Sequence, residues 1–166
     1  MSDHRAHIRW RHDGGDFAKR QYSRAHSWLF DGGLTVPASS SPSNVPIPYS
    51  DPAGVDPEEA YVAAISSCHM LTFLFVAANA RIVVLSYEDE AIGSMTPNER
   101  GVPWMSHVEL HPRIAYAQGA APTADEEAEL HHRAHDGCYI ANSVRTEITV
   151  RAGAPQDASA PSAPTS

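Results

Sequence analysis

Hydrophobic and polar positions alternate with a period of two early in the chain. "HIRWRH" (residues 7–12) puts Ile8 and Trp10 on one face, as a strand does. "YSRAHSWLFDGGLTV" then sets Asp31-Gly32-Gly33 between two β-favouring runs, which predicts a hairpin. Residues 37–55 hold five prolines and five serines and predict a long loop, functional or mobile. At Asp56 the period changes. Asp56 suits an N-cap, Pro57 the first helical position, and Glu59 completes a capping box. Tyr61, Ala64, Ile65, Cys68, Leu71, Thr72 and Phe75 follow at helical spacing, while Ala63, Leu74 and Ala78 make the opposite side apolar too. A helix apolar all round must be covered all round, by a sheet and by a second copy of itself. "ARIVVLSYEDEAIGSM" and "WMSHVELHPRIAYAQ" predict two strands joined by "TPNERGVP". Thr123 and Glu126 open a second helix with another capping box, which ends at Gly137 with Cys138 just beyond. "SVRTEITV" predicts a last strand, and residues 153–166, small, polar and proline-rich, predict a disordered tail after a single domain over 1–152.

Composition narrows the partners. The chain has 166 residues and a formal charge of −8, which argues against nucleic acid and against anionic membranes. Residues 60–79 approach membrane-spanning length, but Ser66, Ser67, His69, Thr72 and Asn79 interrupt them and Asp56, Glu58 and Glu59 precede them, so a buried helix fits better. The polar start "MSDHRAHIRWRHDGG" lacks the pattern of a secretory signal, and a cytoplasmic location is expected. There a permanent disulfide would be unusual and a reactive cysteine pair more plausible.

The chain has two cysteines, Cys68 and Cys138. Cys68 is either a small core hydrophobe or a working thiol in an apolar pocket. About three turns into its helix, it lies beyond the reach of the helix N-terminus, so a reactive thiolate there requires a cation brought from elsewhere. Arg24 and Arg20, in or beside the second strand, are the candidates; the bland alternative for each is a surface arginine. His69 beside Cys68 invites a dyad, but helical neighbours point about 100° apart, so His69 is expected to line a pocket or pack. His131 and His135 in "HHRAH" share a helix face as metal ligands can. With no third ligand evident, a polar helix face is the expectation and no metal or cofactor is assigned.

"DPEEAYVAAISSC" and "AHDGCYIANSVRTEITV", with the β-rich segment before them, resemble the OsmC/Ohr family over roughly residues 20–151. In that family a Pro-Glu pair opens a helix and the peroxidatic cysteine follows ten residues after the glutamate, the spacing of Glu58 and Cys68 here. The resemblance implies an α+β fold with antiparallel sheets wrapped around a central apolar helix, in an intertwined homodimer. It implies a peroxiredoxin-like peroxidase that reduces organic hydroperoxides, and hydrogen peroxide less well, in oxidative-stress defence, regenerated by a dithiol of the lipoyl type. By motif, Cys68 becomes the peroxidatic thiol, Cys138 the resolving thiol, and Glu58 the acidic partner of an activating arginine. "FDGGLTV" carries no arginine at the hairpin, which leaves Arg24, with Arg20 as the alternative. Ile65, Met70, Leu71 and Phe75 would wall an alkyl hydroperoxide. The rival reading is a non-catalytic dimeric module of this fold that binds a small apolar ligand.

Overall fold

A computed structural model gives the fold of residues 2–157. The chain divides into two compact units, one up to Tyr61 and one from Val62. The tail expected over 153–166 lies outside the described residues from 158 on, while Gln156–Asp157 forms a short strand.

The first unit is an antiparallel sheet of order β1-β2-β3, made of Ala6–Arg9, His26–Phe30 and Thr35–Ala38. The predicted hairpin joins β2 to β3. Gly33 takes φ +86°, which glycine adopts without strain, and the Phe30 N–H donates to the Leu34 carbonyl. The proline- and serine-rich stretch is closed at its base. Ser39 N–H donates to Val55 O at 3.1 Å, Val55 N–H to Pro37 O at 3.0 Å, and the Ser39 hydroxyl accepts from Asp51 N–H at 2.9 Å. The capping box of the helix α1 (Pro57–Asn79) forms as the sequence predicts: Glu59 N–H donates to Asp56 Oδ1 at 2.7 Å, and Asp56 N–H to Glu59 Oε2 at 3.2 Å.

In the second unit the two predicted strands become four: β4 (Val84–Asp89), β5 (Ile92–Pro97), β6 (Pro103–Leu110) and β7 (Pro112–Tyr116). Asp89 explains the break. Its carboxylate accepts from His111 N–H at 2.6 Å and from the Ser66 hydroxyl of α1, so the ribbon turns a corner between β4 and β5 and again at His111. The halves then join different sheets, β4-β7-β9 and β5-β6-β8, with β8 at Glu147–Val150 and β9 at Gln156–Asp157. These sheets are not purely antiparallel, contrary to expectation. β8 pairs with β6, and β9 with β7, in parallel, because α2 (Ala124–Gly137) carries the chain back across before β8 begins.

Phe73, Val76 and Ala77 of α1 pack with Ile114 and Tyr116 of β7 and with Leu130 and Ala134 of α2. The buried face of α1 runs through Ile65, His69, Phe73 and Val76. It is rotated from the expected stripe, since Leu71 and Phe75 are 60% and 66% exposed in this chain. A helix apolar on every side carries no periodic signal to choose a face. Leu71 and Phe75 therefore do not wall a pocket within one chain.

Candidate active site

The two thiols meet where α2 ends against α1. A Cβ on Gly137 would stand 3.1 Å from Thr72 Cγ2, one helical turn past Cys68, so the close approach relies on a residue without a side chain. Cys138 caps α2, its N–H donating to His135 O. The chain then turns so that Ile140 N–H donates to Cys68 Sγ at 3.5 Å and Ala141 N–H to Cys138 Sγ at 3.4 Å. Both are free thiols. Cys138 has no exposed surface. Burial, and next a hydrogen bond to Cys68, push the Cys138 thiol up to about 11, so it holds its proton at neutral pH. The turn is braced from within, because the Asn142 amide donates to Asp136 O and Cys138 O, both at 2.9 Å.

Arg24 and Glu58 belong to the first unit, and the thiols to the second. The Arg24 guanidinium donates to Arg20 O at 2.9 Å and to Tyr22 O, and lies 3.8 Å from the centre of the Tyr22 ring. A cation on an aromatic face with two carbonyl acceptors is held in a fixed pose. Arg20 closes a turn with φ 63°, its N–H donating to Phe17 O at 3.0 Å. Glu58 stands in the first turn of α1.

A buried polar chain beside the thiols has no counterpart in the expectations. Tyr116 O–H donates to Glu127 Oε1 at 3.0 Å, His131 Nε2 lies 3.9 Å from the same oxygen, and His131 Nδ1 shares a proton with His69 Nε2 at 3.0 Å. His69, Glu127 and His131 are at most 4% exposed. Burial drives both histidines down to about 4, with His135 adding to the effect on His69, Asp89 opposing it, and His69 adding to the effect on His131. Burial likewise pushes Tyr116 and Glu127 up, the Tyr116 hydrogen bond opposing the shift on Glu127, so this carboxyl holds its charge less readily than an exposed one. The polar face expected of "HHRAH" is thus split. His131 faces the core, His135 is half-buried, and His132, 3.6 Å from Asp136, and Arg133 reach water. Glu127 and His131, four apart on one helix, were the available signal; His69 as their partner was not legible because it comes from another element. Among the described residues no group of three His, Cys, Asp or Glu side chains is placed to hold a metal ion.

The family model for OsmC-like proteins matches residues 50–152, a span that contains both thiols. An OsmC-like protein of unknown function from Vibrio cholerae is 47% identical over 92% of this chain and 100% of that one, with a TM-score of 0.89. Organic hydroperoxide resistance proteins from Elizabethkingia anophelis (20% identity, TM-score 0.65, 95% of this chain and 96% of that one) and Bacillus subtilis (17%, 0.61, 92% and 98%) share the fold. Among curated proteins, none matches the sequence.

Proposed function

Because the chain belongs to the OsmC-like family, we propose that it is a thiol-dependent peroxidase that reduces organic hydroperoxides, and hydrogen peroxide less well. The observation that carries this reading is the meeting of the chain's two cysteines at one turn, whose adjacent amides donate to the two sulfurs. The names of the Elizabethkingia and Bacillus proteins support the same chemistry.

The Cys68 thiolate attacks the distal oxygen of ROOH. The O–O bond breaks, Cys68 becomes a sulfenic acid, and the alkoxide leaves with a proton as ROH. Cys138 then attacks the Cys68 sulfur; the S–O bond breaks, an S–S bond forms, and water departs. An external dithiol of the lipoyl type reopens the disulfide by exchange and is itself oxidised. Arg24 is the cation of this reading, steadying thiolate and alkoxide, and a Glu58 carboxylate orients its fork. Ten residues of helix separate Glu58 from Cys68 by about 15 Å. A second copy with α1 packed antiparallel would bring its Glu58 near this Cys68.

Leu71, Phe75, Val83, Leu85 and Ile92, all more than half exposed in one chain, support such a homodimer. Sedimentation at micromolar concentration should give twice the 18.0 kDa chain mass; a stable folded monomer would defeat the assembly. The setting proposed is cytoplasmic stress defence, with no nucleic-acid or membrane partner.

Hydroperoxide consumption tests the reading. Cys68→Ser should fall to the buffer rate, while Cys138→Ser should consume about one equivalent and then stall or over-oxidise. Mass spectrometry of the wild type after one equivalent should find a Cys68–Cys138 disulfide that a dithiol reverses. Arg24→Ala should slow turnover at least ~10-fold, the scale of one ionic contact; a loss on Arg20→Ala instead would move the role to Arg20. Complete burial of Cys138 is the observation that favours the rival, a dimeric module binding a small apolar ligand. Two thiols left unmodified by peroxide would select that rival.

A further inference from the structure

Cys68 cannot borrow stabilisation from a helix end, because it lies mid-helix, and the thiolate it needs must be held by donors from elsewhere. One donor comes from the turn after α2. Ile140 N–H reaches Cys68 Sγ at 3.5 Å, and the neighbouring Ala141 N–H, at 3.4 Å from Cys138 Sγ, holds the second sulfur beside the first. Gly137 sets that approach, since its Cα faces Thr72 of α1 with no side chain between. We infer that Cys138 acts before it resolves: its S–H and the Ile140 N–H are paired donors that stabilise the Cys68 thiolate.

The inference deepens the peroxidase reading and rests on it. A resolving thiol is usually valued as a nucleophile, and a nucleophile gains from losing its proton. Here burial makes Cys138 keep its proton, and the adjacent amides of Ile140 and Ala141, one on each sulfur, set that thiol beside Cys68. The retained proton has two successive uses. While Cys68 is a thiolate, the proton points at it. Once Cys68 carries OH, the proton joins the displaced hydroxide, so the step Cys68–SOH + Cys138–SH gives the disulfide and water without drawing a proton from solvent. Ala141 N–H remains on the Cys138 sulfur throughout and steadies the charge that builds there as it attacks.

The test reads Cys68 alone, in the full-length reduced protein, as the rate of iodoacetamide alkylation at neutral pH mapped by peptide mass spectrometry. Cys138→Ala removes the S–H donor and should slow Cys68 alkylation ~10-fold, a loss of about 1.4 kcal/mol. Cys138→Ser restores an O–H donor of similar reach and should return the rate to within ~3-fold of wild type; a merely structural role for Cys138 would not distinguish the two. Ile140 has φ −69°, which proline accepts. Ile140→Pro deletes the other donor and should slow alkylation similarly, while Ile140→Ala, which keeps the N–H, should not. Equal rates in wild type and Cys138→Ala overturn the inference, whatever the peroxidase assay gives. Conversely, the Ala/Ser contrast in a protein that consumes no hydroperoxide would uphold the donor role and refute the peroxidase reading.

Discussion

Cys68 and His69 are neighbours on α1, yet they look into different worlds. Cys68 is half-buried against a turn of irregular backbone, and its partners are an amide and a second thiol. His69, rotated about 100° away, is sealed in the core against His131, with the Phe73 ring tilted against that imidazole at 4.4 Å between centroids and Glu127 and Tyr116 beyond. One region has sulfurs held by the backbone amides of a turn, and the other has polar groups packed against one another in the core. The difference teaches that a single helix can present a reactive site and a structural polar core on adjacent residues, provided that the two do not share partners.

The hardest blow to the core side is His131→Ala. It opens a cavity beside Phe73 and leaves His69 without its hydrogen bond, and it should cost about 2–4 kcal/mol in denaturant unfolding. Alkylation of Cys68 should stay within ~3-fold of wild type in the same variant. A large loss of thiol reactivity would break the separation drawn here.

Next in size is the response to acid. His69 and His131 fall to about 4 in the folded chain, below the ordinary value near 6.5. Between those values the unfolded chain binds more protons, so stability present above about pH 6.5 is lost as pH falls towards 4. The slope should approach about 1.4 kcal/mol per pH unit for each histidine kept neutral. Glu127, raised by the same burial, works in the opposite sense: the folded chain takes its proton first, so stability is gained as pH falls through its raised folded value towards the ordinary carboxylate range. Asp89 also favours a charged His69 and blunts the effect, while His135 reinforces it. Unfolding free energies measured from pH 7 to 4.5 should therefore fall in wild type and fall about half as steeply in His131→Gln, which leaves His69 buried. A flat wild-type profile would mean that the pair does not resist protonation.

The smallest change acts on the other side. Gly137→Ala places a methyl 3.1 Å from Thr72 Cγ2, and a few tenths of an ångström of retreat would carry Cys138 off Cys68. Peroxide-driven disulfide formation should slow by ~3-fold, a little over half a kcal/mol, with the acid profile unchanged. An unchanged rate would show that the turn accommodates the methyl.

Much of this was legible in the sequence because it is local. Asp56 and Glu59, Thr123 and Glu126 announce both helix starts in a few residues, and Asp31-Gly32-Gly33 marks the hairpin. What failed was long-range. Nothing in "YEDEAIG" or "VELHPRI" reveals that Asp89 reaches His111 and Ser66 to fold one ribbon into two sheets. Likewise, α1 is apolar on all sides, so only tertiary packing could say that His69, rather than Leu71, turns inward. The two thiols were readable by spacing, but the amides of Ile140 and Ala141 were not. Backbone donors belong to every residue, and only the turn aims them.

The parallel seam between β6 and β8 has a consequence for the order in which the molecule assembles. Contacts within the β5–β6 hairpin close a short loop around Gly101, whereas His107 pairs with Glu147 and Thr146 Oγ1 reaches Met105 O at 2.7 Å across some forty residues. Closing the longer loop costs more chain entropy, and non-local parallel pairing is slow, so this seam should form late. Native-state hydrogen exchange should find β8 opening at lower free energy than β7; equal protection would contradict that order. Cys138 lies on the segment that leads from α2 into this seam. The same late closure that delays assembly means that the two sulfurs should meet only in the last stage of folding.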